Sequence, residues 1–556
     1  MTSLGPRDTA LERLAQRAQP FDLLVVGGGI TGAGIALDAA SRGLSVALVE
    51  RGDFASGTSS KSSKLVHGGL RYLEQREFGL MREASVERDL LRRLAPHLVE
   101  PIPFVLPVSS RWNRALFGAG LWTYDALASF KNLKVHRHLS GEETEAYVPA
   151  MPHGKVRGGY LFYDCRTDDV RMVLAVLGQA RRYGAVVANY AAVESLDGTE
   201  AGCRAVVRDC VSDTAFEIAA RQIVVAAGVW GDRLEQMSHA GAAARLRPSK
   251  GIHLVFRRDA VPMADAAAFI PDTERKRMLF VIPWHDAVLV GTTDTAYEGD
   301  LDAPAVEPED RDYCLSAVNA TLDVSLGVDD IAGAYAGLRP LIAARAGATA
   351  DLSRRHAVYS IAPGITGITG GKLTTWRRMA KDAVDGVAAE LGVRAKCRTQ
   401  WIRLGSSDVA RLHAAVGRRA QRLGIAQTRV DNLVRFYGDA SLAVLDVVER
   451  EGLAEPLADG SLPVAAEALY CAAHEMVVHL DDLLARRTRL ALTDPAAGTG
   501  AGSRAAELTA AALGWDAARA QAEVERHRRL VEQERGLPLH EAPSTPSGGS
   551  ARLGAG

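Results

Sequence analysis

Phe21-Asp22-Leu23-Leu24-Val25-Val26, followed at once by Gly27-Gly28-Gly29-Ile30-Thr31-Gly32, is the stretch whose reading decides the fold. The first six residues are almost all apolar and read as a short buried strand. The next six are G-x-G-x-x-G, in the place where a strand turns into a helix. Residues 33–43 (AGIALDAASRG) keep helical spacing and stop at Gly43, after which Ser45-Val46-Ala47-Leu48-Val49 is a second strand ending at Glu50. Strand, glycine turn, helix, strand and acid in that order make the βαβ unit of a dinucleotide-binding fold. Gly27 permits the tight turn, Gly29 lets backbone reach a pyrophosphate and Gly32 lets the helix pack on the strand; Gly28, Ile30 and Thr31 complete the loop. The helix N-terminus then faces the phosphates with its positive end. Glu50, eighteen residues after Gly32, stands where a carboxylate accepts hydrogen bonds from a ribose. The fingerprint by itself does not choose FAD over NAD.

Outward from this unit, the 556-residue chain is long enough for several domains, and 47% apolar with 24% charged residues is the balance of a folded, water-compatible protein. A net charge of −1 supplies no global field for nucleic acid, so a basic site has to be local. The six cysteines (Cys165, Cys203, Cys210, Cys314, Cys397 and Cys471) form no C-x-x-C pair and no Cys/His cluster, which argues for a reducing compartment and no structural metal. Residues 1–19 read as a polar leader without the apolar core of a signal peptide. No apolar run reaches about 18 residues, so a spanning helix is not expected. The protein is expected in the cytoplasm, lying at most against a membrane.

Between about Leu65 and Arg398 alternating strands mix with helices, as in a large α/β or α+β body. A hairpin is expected from MLFVIP (278–283), a turn at Trp284-His285-Asp286 and VLVGTTD (288–294). Arg221–Val225 reads as a strand running into the glycine turn Ala226-Ala227-Gly228. Beyond about Thr399 the texture becomes Ala/Leu/Arg/Glu helical periodicity, which predicts a separate helical domain over 399–540. The tail 541–556, rich in Pro, Ser and Gly, is expected to be disordered.

The stretch from Arg51 to Tyr72, RGDFASGTSSKSSKLVHGGLRY, resembles the FAD-dependent glycerol-3-phosphate dehydrogenases, in which T-S-S, S-S-K-L and H-G-G-L-R-Y follow the first βαβ unit. The likeness continues at Lys250-Gly251-Ile252-His253, at FVIPW and GTTDT, at Gly337-Leu338-Arg339-Pro340, at Gly370-Gly371-Lys372-Leu373-Thr374-Thr375 and at ARRTRLAL, covering roughly residues 20 to 535. It implies an α/β fold of FAD-binding Rossmann type (glucose-oxidase-like and D-amino-acid-oxidase-like) over 20–398, with an interwoven α+β substrate region and an all-α C-terminal domain. It also implies FAD at the first motif together with Thr58, Ser59, Ser63, Lys64, Leu65, Ala227, Gly228, Gly370, Gly371, Lys372, Leu373 and Thr374; the Cys and His near the motif give no attachment signal, so the FAD is expected to be held without a covalent bond. The implied reaction is oxidation of sn-glycerol 3-phosphate to dihydroxyacetone phosphate, with electrons passed to a membrane quinone. A homodimer and a place on the cytoplasmic face of the plasma membrane are implied as well.

The residues carry the same chemistry read alone. A reduced flavin needs a positive helix end near its N1–C2=O region, and Gly370–Thr375 leads into WRRMAKDAVDGVAAEL, with Trp376, Met379, Ala383 and Val387 on one face. A phosphorylated alcohol needs cations, for which Arg71, Arg339 and Lys372 are the candidates, with the Tyr72 hydroxyl beside Arg71. A proton acceptor is also needed; His253 points away from the face shared by Ile252, Leu254 and Phe256 and is the best candidate. The resemblance implies His253, Arg339 and Lys372 at the reacting centre, and the sequence leaves open whether His67 lies near the flavin. Two alternatives stay open: an oxidase of the same fold that gives electrons to oxygen, and a flavin-binding module without an enzymatic role. Residues 111–138 (RWNRALFGAGLWTYDALASFKNLKVHRH) carry five basic residues against Asp125 alone. Leu116, Phe117, Leu121, Trp122 and Tyr124 are read there as a membrane-contacting set, against the alternative of a buried helix with a solvated basic rim.

Overall fold

The computed structural model describes residues 3–70, 77–108, 110–127, 134–154, 156–199, 201–238, 244–272, 277–342 and 355–537. Two sheets organise the first two thirds of the chain. In the eight-stranded sheet, Phe21–Val26 lies between Val46–Val49 and Thr214–Val225, parallel to both, with Val26 opposite Val49 on one side and Val225 on the other. Because Phe21–Val26 and Val46–Val49 are buried along almost their whole length, they are nearly continuous apolar runs. Ile30–Ser41 and Trp376–Glu390 pack on each other over this sheet, and a Cβ at Gly34 would sit 2.6 Å from the Trp376 ring. Only glycine allows that approach.

The ten-stranded sheet carries Ser249–Arg257 between Ala287–Gly291 and Ile331–Arg339, antiparallel to both. Ile252, Leu254 and Phe256 enter one core, while Val255 and the partner-strand residue Tyr335 lie in the core of the opposite face. His253 shares that second face, as the period of two requires. The predicted hairpin forms from Arg277–Trp284 and Ala287–Gly291. It differs in detail: Trp284 belongs to the strand, the turn is His285-Asp286 with His285 at φ +54, and the returning strand stops at Gly291.

The C-terminal third is helical around its own apolar core, which includes Leu412, Val416, Leu433, Val444, Leu480 and Ala505. It does not hang free. The helix Ala517–Arg535 returns to the large body, where Leu537 enters the substrate-side core and the Arg535 guanidinium donates to the Ile331 carbonyl at 2.9 Å. The expected polar leader is also a packed element. Helix Arg7–Ala15 buries Ala10 and Leu14, with Leu4, against the nucleotide-side core, and Arg7 pairs with Asp209. The tail 541–556 lies outside the described residues.

Candidate active site

The first βαβ unit shapes a cavity of about 620 Å³ along the ends of the parallel strands. Gly27, at φ +116, turns the chain where a Cβ would lie 2.5 Å from the Ala226 carbonyl. A Cβ on Gly32 would come within 1.9 Å of the Gly27 carbonyl, so this glycine seats the helix on the strand end and stays behind the cavity wall. Gly28 also lies behind the wall, packed on Phe54 and Glu50, and its N–H donates to the Glu50 carboxylate at 2.6 Å. Glu50 accepts a second N–H from Gly52 at 2.9 Å. Burial holds its carboxyl above the usual range, while the two amides oppose that rise. Gly29, Ile30, Thr31, Glu50, Thr58, Ser59, Ala227 and Gly228 line the cavity directly. The Ile30 N–H at the helix start donates to the Ser59 hydroxyl at 3.0 Å.

The far end of this cavity is built by Gly370 and Gly371, at φ +77 and +80. Side chains are excluded there, since a Cβ would lie 2.6 Å from the Arg355 carbonyl at the first and 2.4 Å from Met379 sulfur at the second. Lys372 and Leu373 follow, and a short 3₁₀ turn at Leu373–Thr375 feeds the helix Trp376–Glu390. An extended dinucleotide fits: it would have one helix N-terminus at its pyrophosphate, a carboxylate at a ribose, and a second helix start with bare backbone at its ring end.

A second cavity of about 260 Å³ opens from the ring end and shares Thr58, Gly370, Gly371, Lys372 and Leu373 with the first. Ser63, Leu65, His67, His253, Arg339 and Thr374 line it. The Arg339 guanidinium donates to the Thr292 hydroxyl at 2.9 Å, to the Thr293 carbonyl at 3.0 Å and to Asp294 at 3.2 Å. Gly251 leaves room for it, because a Cβ there would lie 2.3 Å from the guanidinium. His253 is 2% exposed, stacks on Tyr335 with ring centres 4.9 Å apart, and pairs through Nε2 with the Ser63 hydroxyl at 2.9 Å. Burial first, then the charges of Lys64 and Arg339, push the imidazole down to about 3, so it is neutral across the working range. The His67 N–H donates to the Thr374 hydroxyl at 3.2 Å, tying the His67-Gly68 loop to the second helix start.

Several expected cofactor residues stand elsewhere. Lys64 lines neither cavity. Its ammonium is fully buried on Asp169 at 2.8 Å and on the Ser60 carbonyl at 2.5 Å, beneath the Tyr335 ring. A cation removed from water takes the carboxylate that matches it, and here that carboxylate is internal. Ser63, Leu65 and Thr374 face the second cavity and not the first. Arg71 and Tyr72 lie outside the described residues. Sequence reasoning also missed Asp164, which lines the second cavity, accepts the Gly68 N–H at 2.9 Å and pairs with buried Arg88 at 2.7 Å. No local pattern marks a lone Asp within a strand. Leu121 and Tyr124 of the basic-ended segment are buried inward, while Leu116 and Trp122 are exposed on the helix Arg111–Leu127. Among the described residues no cluster of side chains is suited to hold a metal ion.

Comparison with known proteins places these cavities in context. The family of FAD-dependent oxidoreductases matches residues 22–377, and the C-terminal domain of alpha-glycerophosphate oxidase matches residues 397–520. Glycerol-3-phosphate dehydrogenase 2 of Mycobacterium tuberculosis is 41% identical over 543 residues, covering 96% of this chain and 92% of its own. The aerobic glycerol-3-phosphate dehydrogenase of Bacillus subtilis is 36% identical over 501 residues, covering 87% of this chain and 89% of its own. Among solved structures, the glycerol-3-phosphate dehydrogenase of Bacillus halodurans complexed with FAD superposes with a TM-score of 0.79 at 31% identity, covering 98% of this chain and 100% of that one.

Proposed function

Because the chain belongs to the family of FAD-dependent glycerol-3-phosphate dehydrogenases, we propose that it oxidises sn-glycerol 3-phosphate to dihydroxyacetone phosphate and passes the electrons to a membrane quinone. The observation that carries this reading is the junction of the two cavities at Gly370–Leu373, with a neutral imidazole and a fixed guanidinium on the substrate side. The glycine cradles at both ends of the larger cavity fit FAD. When bound, FAD supplies the two-electron acceptor for the carbon–hydrogen bond that breaks.

The chain's own residues bind, orient and deprotonate. Arg339 and Lys372 hold the phosphate; Thr292 and Asp294 keep the Arg339 fork in plane, so its ordering is complete before substrate arrives. His253 takes the hydroxyl proton, with Ser63 on Nε2 and Tyr335 against the ring fixing its plane. Burial and, after it, the neighbouring cations depress its basicity, and a phosphate dianion beside Arg339 offsets the cations' share, so substrate binding itself raises the imidazole's proton affinity. Burial of the ring keeps competing water away from the proton.

For the acceptor, the supporting feature is the outward face of the helix Arg111–Leu127, with Leu116 and Trp122 exposed and basic Arg114 at its rim. That face suits peripheral contact with the cytoplasmic side of the plasma membrane, where quinone resides; no helix among the described residues is long and apolar enough to cross a membrane. Oxygen is the second reading for the acceptor, supported by the glycerophosphate-oxidase type of the C-terminal region. The test is anaerobic titration of the purified protein with sn-glycerol 3-phosphate while the yellow flavin absorbance is followed. Bleaching by this compound, and not by glycerol or an amino acid, is expected; persistent colour would sink the substrate assignment. Peroxide formed in air, without faster turnover on a quinone, would transfer the electrons to oxygen.

A further inference from the structure

Ser63 meets His253 from a loop, residues 60–64, whose conformation is imposed from outside. Lys64 stands at φ +57, a left-handed conformation that a lysine keeps only where its surroundings over-determine it. Those surroundings are a buried set of four charges, Lys64, Asp168, Asp169 and Arg489, none of which lines the dinucleotide or the substrate cavity. The Asp169 carboxylate is the centre of the set. It accepts from the Lys64 ammonium at 2.8 and 2.9 Å, from the Ser62 hydroxyl at 2.7 Å, from the Ser62 N–H at 3.2 Å and from the Arg489 guanidinium at 2.6 Å. Ser62 is thereby fixed on one side, and on the other its carbonyl accepts from the Tyr335 hydroxyl at 2.7 Å. The Lys64 N–H donates to the Ser62 hydroxyl at 3.1 Å and the Lys64 ammonium to the Ser60 carbonyl at 2.5 Å, which closes the loop around Ser63.

Of the four charges, Arg489 alone comes from the C-terminal helical region. Its Nε and Nη2 grip Asp168, both at 2.8 Å, and Nη2 also reaches Asp169. A planar fork anchored on one carboxylate sets the plane of the next, which a single ammonium on a flexible stem does not do. A turn of the Asp169 carboxylate would carry Ser62 with it, and Ser63 is the adjoining residue. The set is also felt at the imidazole as charge: after burial, which depresses His253 most, Lys64 lowers its proton affinity and Asp169 raises it.

We propose that Arg489 is a positioning residue for the substrate cavity: through Asp169 and Ser62 it holds the Ser63 hydroxyl on His253 Nε2, so that the C-terminal helical region completes the site without touching substrate. Its effect on rate rests on the reading of His253 as the proton acceptor, whereas the hold on the imidazole stands by itself. An imidazole fixed at one nitrogen keeps one tautomer and one orientation, and a released one samples both.

Arg489→Met alone strands Asp168 in the interior, so the test uses Arg489→Met with Asp168→Asn. This pair keeps the charges balanced and leaves a side-chain oxygen for the Arg171 N–H that Asp168 caps. Two readouts are taken on the FAD-loaded full chain: anaerobic stopped-flow reduction of the flavin by sn-glycerol 3-phosphate, and NMR of labelled histidine ring nitrogens, with the His253 signal assigned by its loss in His253→Gln. The double variant is expected to keep its FAD and to unfold close to the parent. Its limiting reduction rate should nevertheless fall about 10–10²-fold, with the half-saturating substrate concentration within about twofold, and His253 should change from one tautomer to a mixture. Ser62→Ala, which breaks the same route by one hydroxyl and no charge, should move both readouts in the same direction, and it decides the matter if the double variant does not fold. Recovery of the parent's rate together with its stability would make Arg489 a fold residue only and overturn the proposal. So would a single His253 tautomer kept in the variants, whatever their rate. A parent flavin that sn-glycerol 3-phosphate leaves oxidised would sink the substrate assignment alone, and the tautomer would still decide for or against the hold on Ser63.

Discussion

Gly32 has no room for a methyl group: its Cβ would meet the Gly27 carbonyl at 1.9 Å, and that contact is with backbone, which has little to give. Gly32→Ala is therefore expected to destabilise the protein by about 1–3 kcal/mol and to purify with little FAD, read as yellow absorbance per chain. On the substrate side, His253→Ala should lower the maximal rate by about 10²–10⁴-fold with FAD content unchanged, whereas Arg339→Lys should chiefly raise KM, because a point charge does not replace the fork. Equal loss of rate in both variants would mean that the imidazole and the guanidinium share one role. The glycines and His253 were legible because short-range rules govern them: a turn, a helix start, an alternating strand. Lys64 was not. Its place is decided by Asp169, 105 residues along the chain, and no local pattern announces which lysine in S-S-K-L will be swallowed by an internal carboxylate.

Elements show the same division. The helix after Gly370-Gly371 could be read from its spacing, with Trp376 and Met379 buried as the pattern requires. The segment ARRTRLAL could be matched to the family pattern but not explained, since its arginines act at a distance. Arg487 meets Asp53, 434 residues away, at 2.7 Å, and Arg489 meets Asp168 at 2.8 Å. The first pair bolts a π-helical turn, Asp482–Arg487, onto the loop that follows Glu50, and the second ties the residue after Thr488 to the start of the helix Asp169–Arg182. Breaking one, as in Arg489→Met, should cost about 3–5 kcal/mol in denaturant unfolding, and adding Asp168→Asn should restore a large part by removing the stranded charge. A second prediction concerns Glu467, buried on Tyr437 at 2.8 Å and the Val464 N–H at 2.8 Å, whose carboxyl burial pushes up to about 7 from 4.5. A raised folded-state value means stability fully present below about 4.5 and lost as pH rises through about 7. Glu467→Gln should thus unfold at the same temperature as the parent in the acid range and at a higher one at pH 8. A constant gap across pH would remove Glu467 from the account.

At the scale of the whole molecule, the helix Arg111–Leu127 has to satisfy two environments. Tyr124 and Asp125 face inward, where Arg88 donates to the Tyr124 hydroxyl at 2.9 Å and His136 pairs with Asp125 at 2.6 Å. Leu116 and Trp122 face outward at 56% and 58% exposure, with Val135 at 48% nearby. Composition could show an apolar stretch with basic ends; it could not say which apolar residues the fold would claim, because Leu121 and Tyr124 have the same polarity as the residues left outside. Large side chains left exposed together on one face call for a covering surface. If that surface is the bilayer, Leu116→Glu with Trp122→Glu should abolish cosedimentation with anionic vesicles and slow reduction of a vesicle-borne quinone. Reduction of the flavin by sn-glycerol 3-phosphate in solution should stay unchanged, since neither side chain lines the substrate cavity. Undiminished vesicle binding by this double variant would sink the assignment of this face. Loss of flavin reduction as well would mean that the helix acts on the site through Tyr124, Arg88 and Asp164, the chain of contacts that joins its inner face to the Gly68 amide.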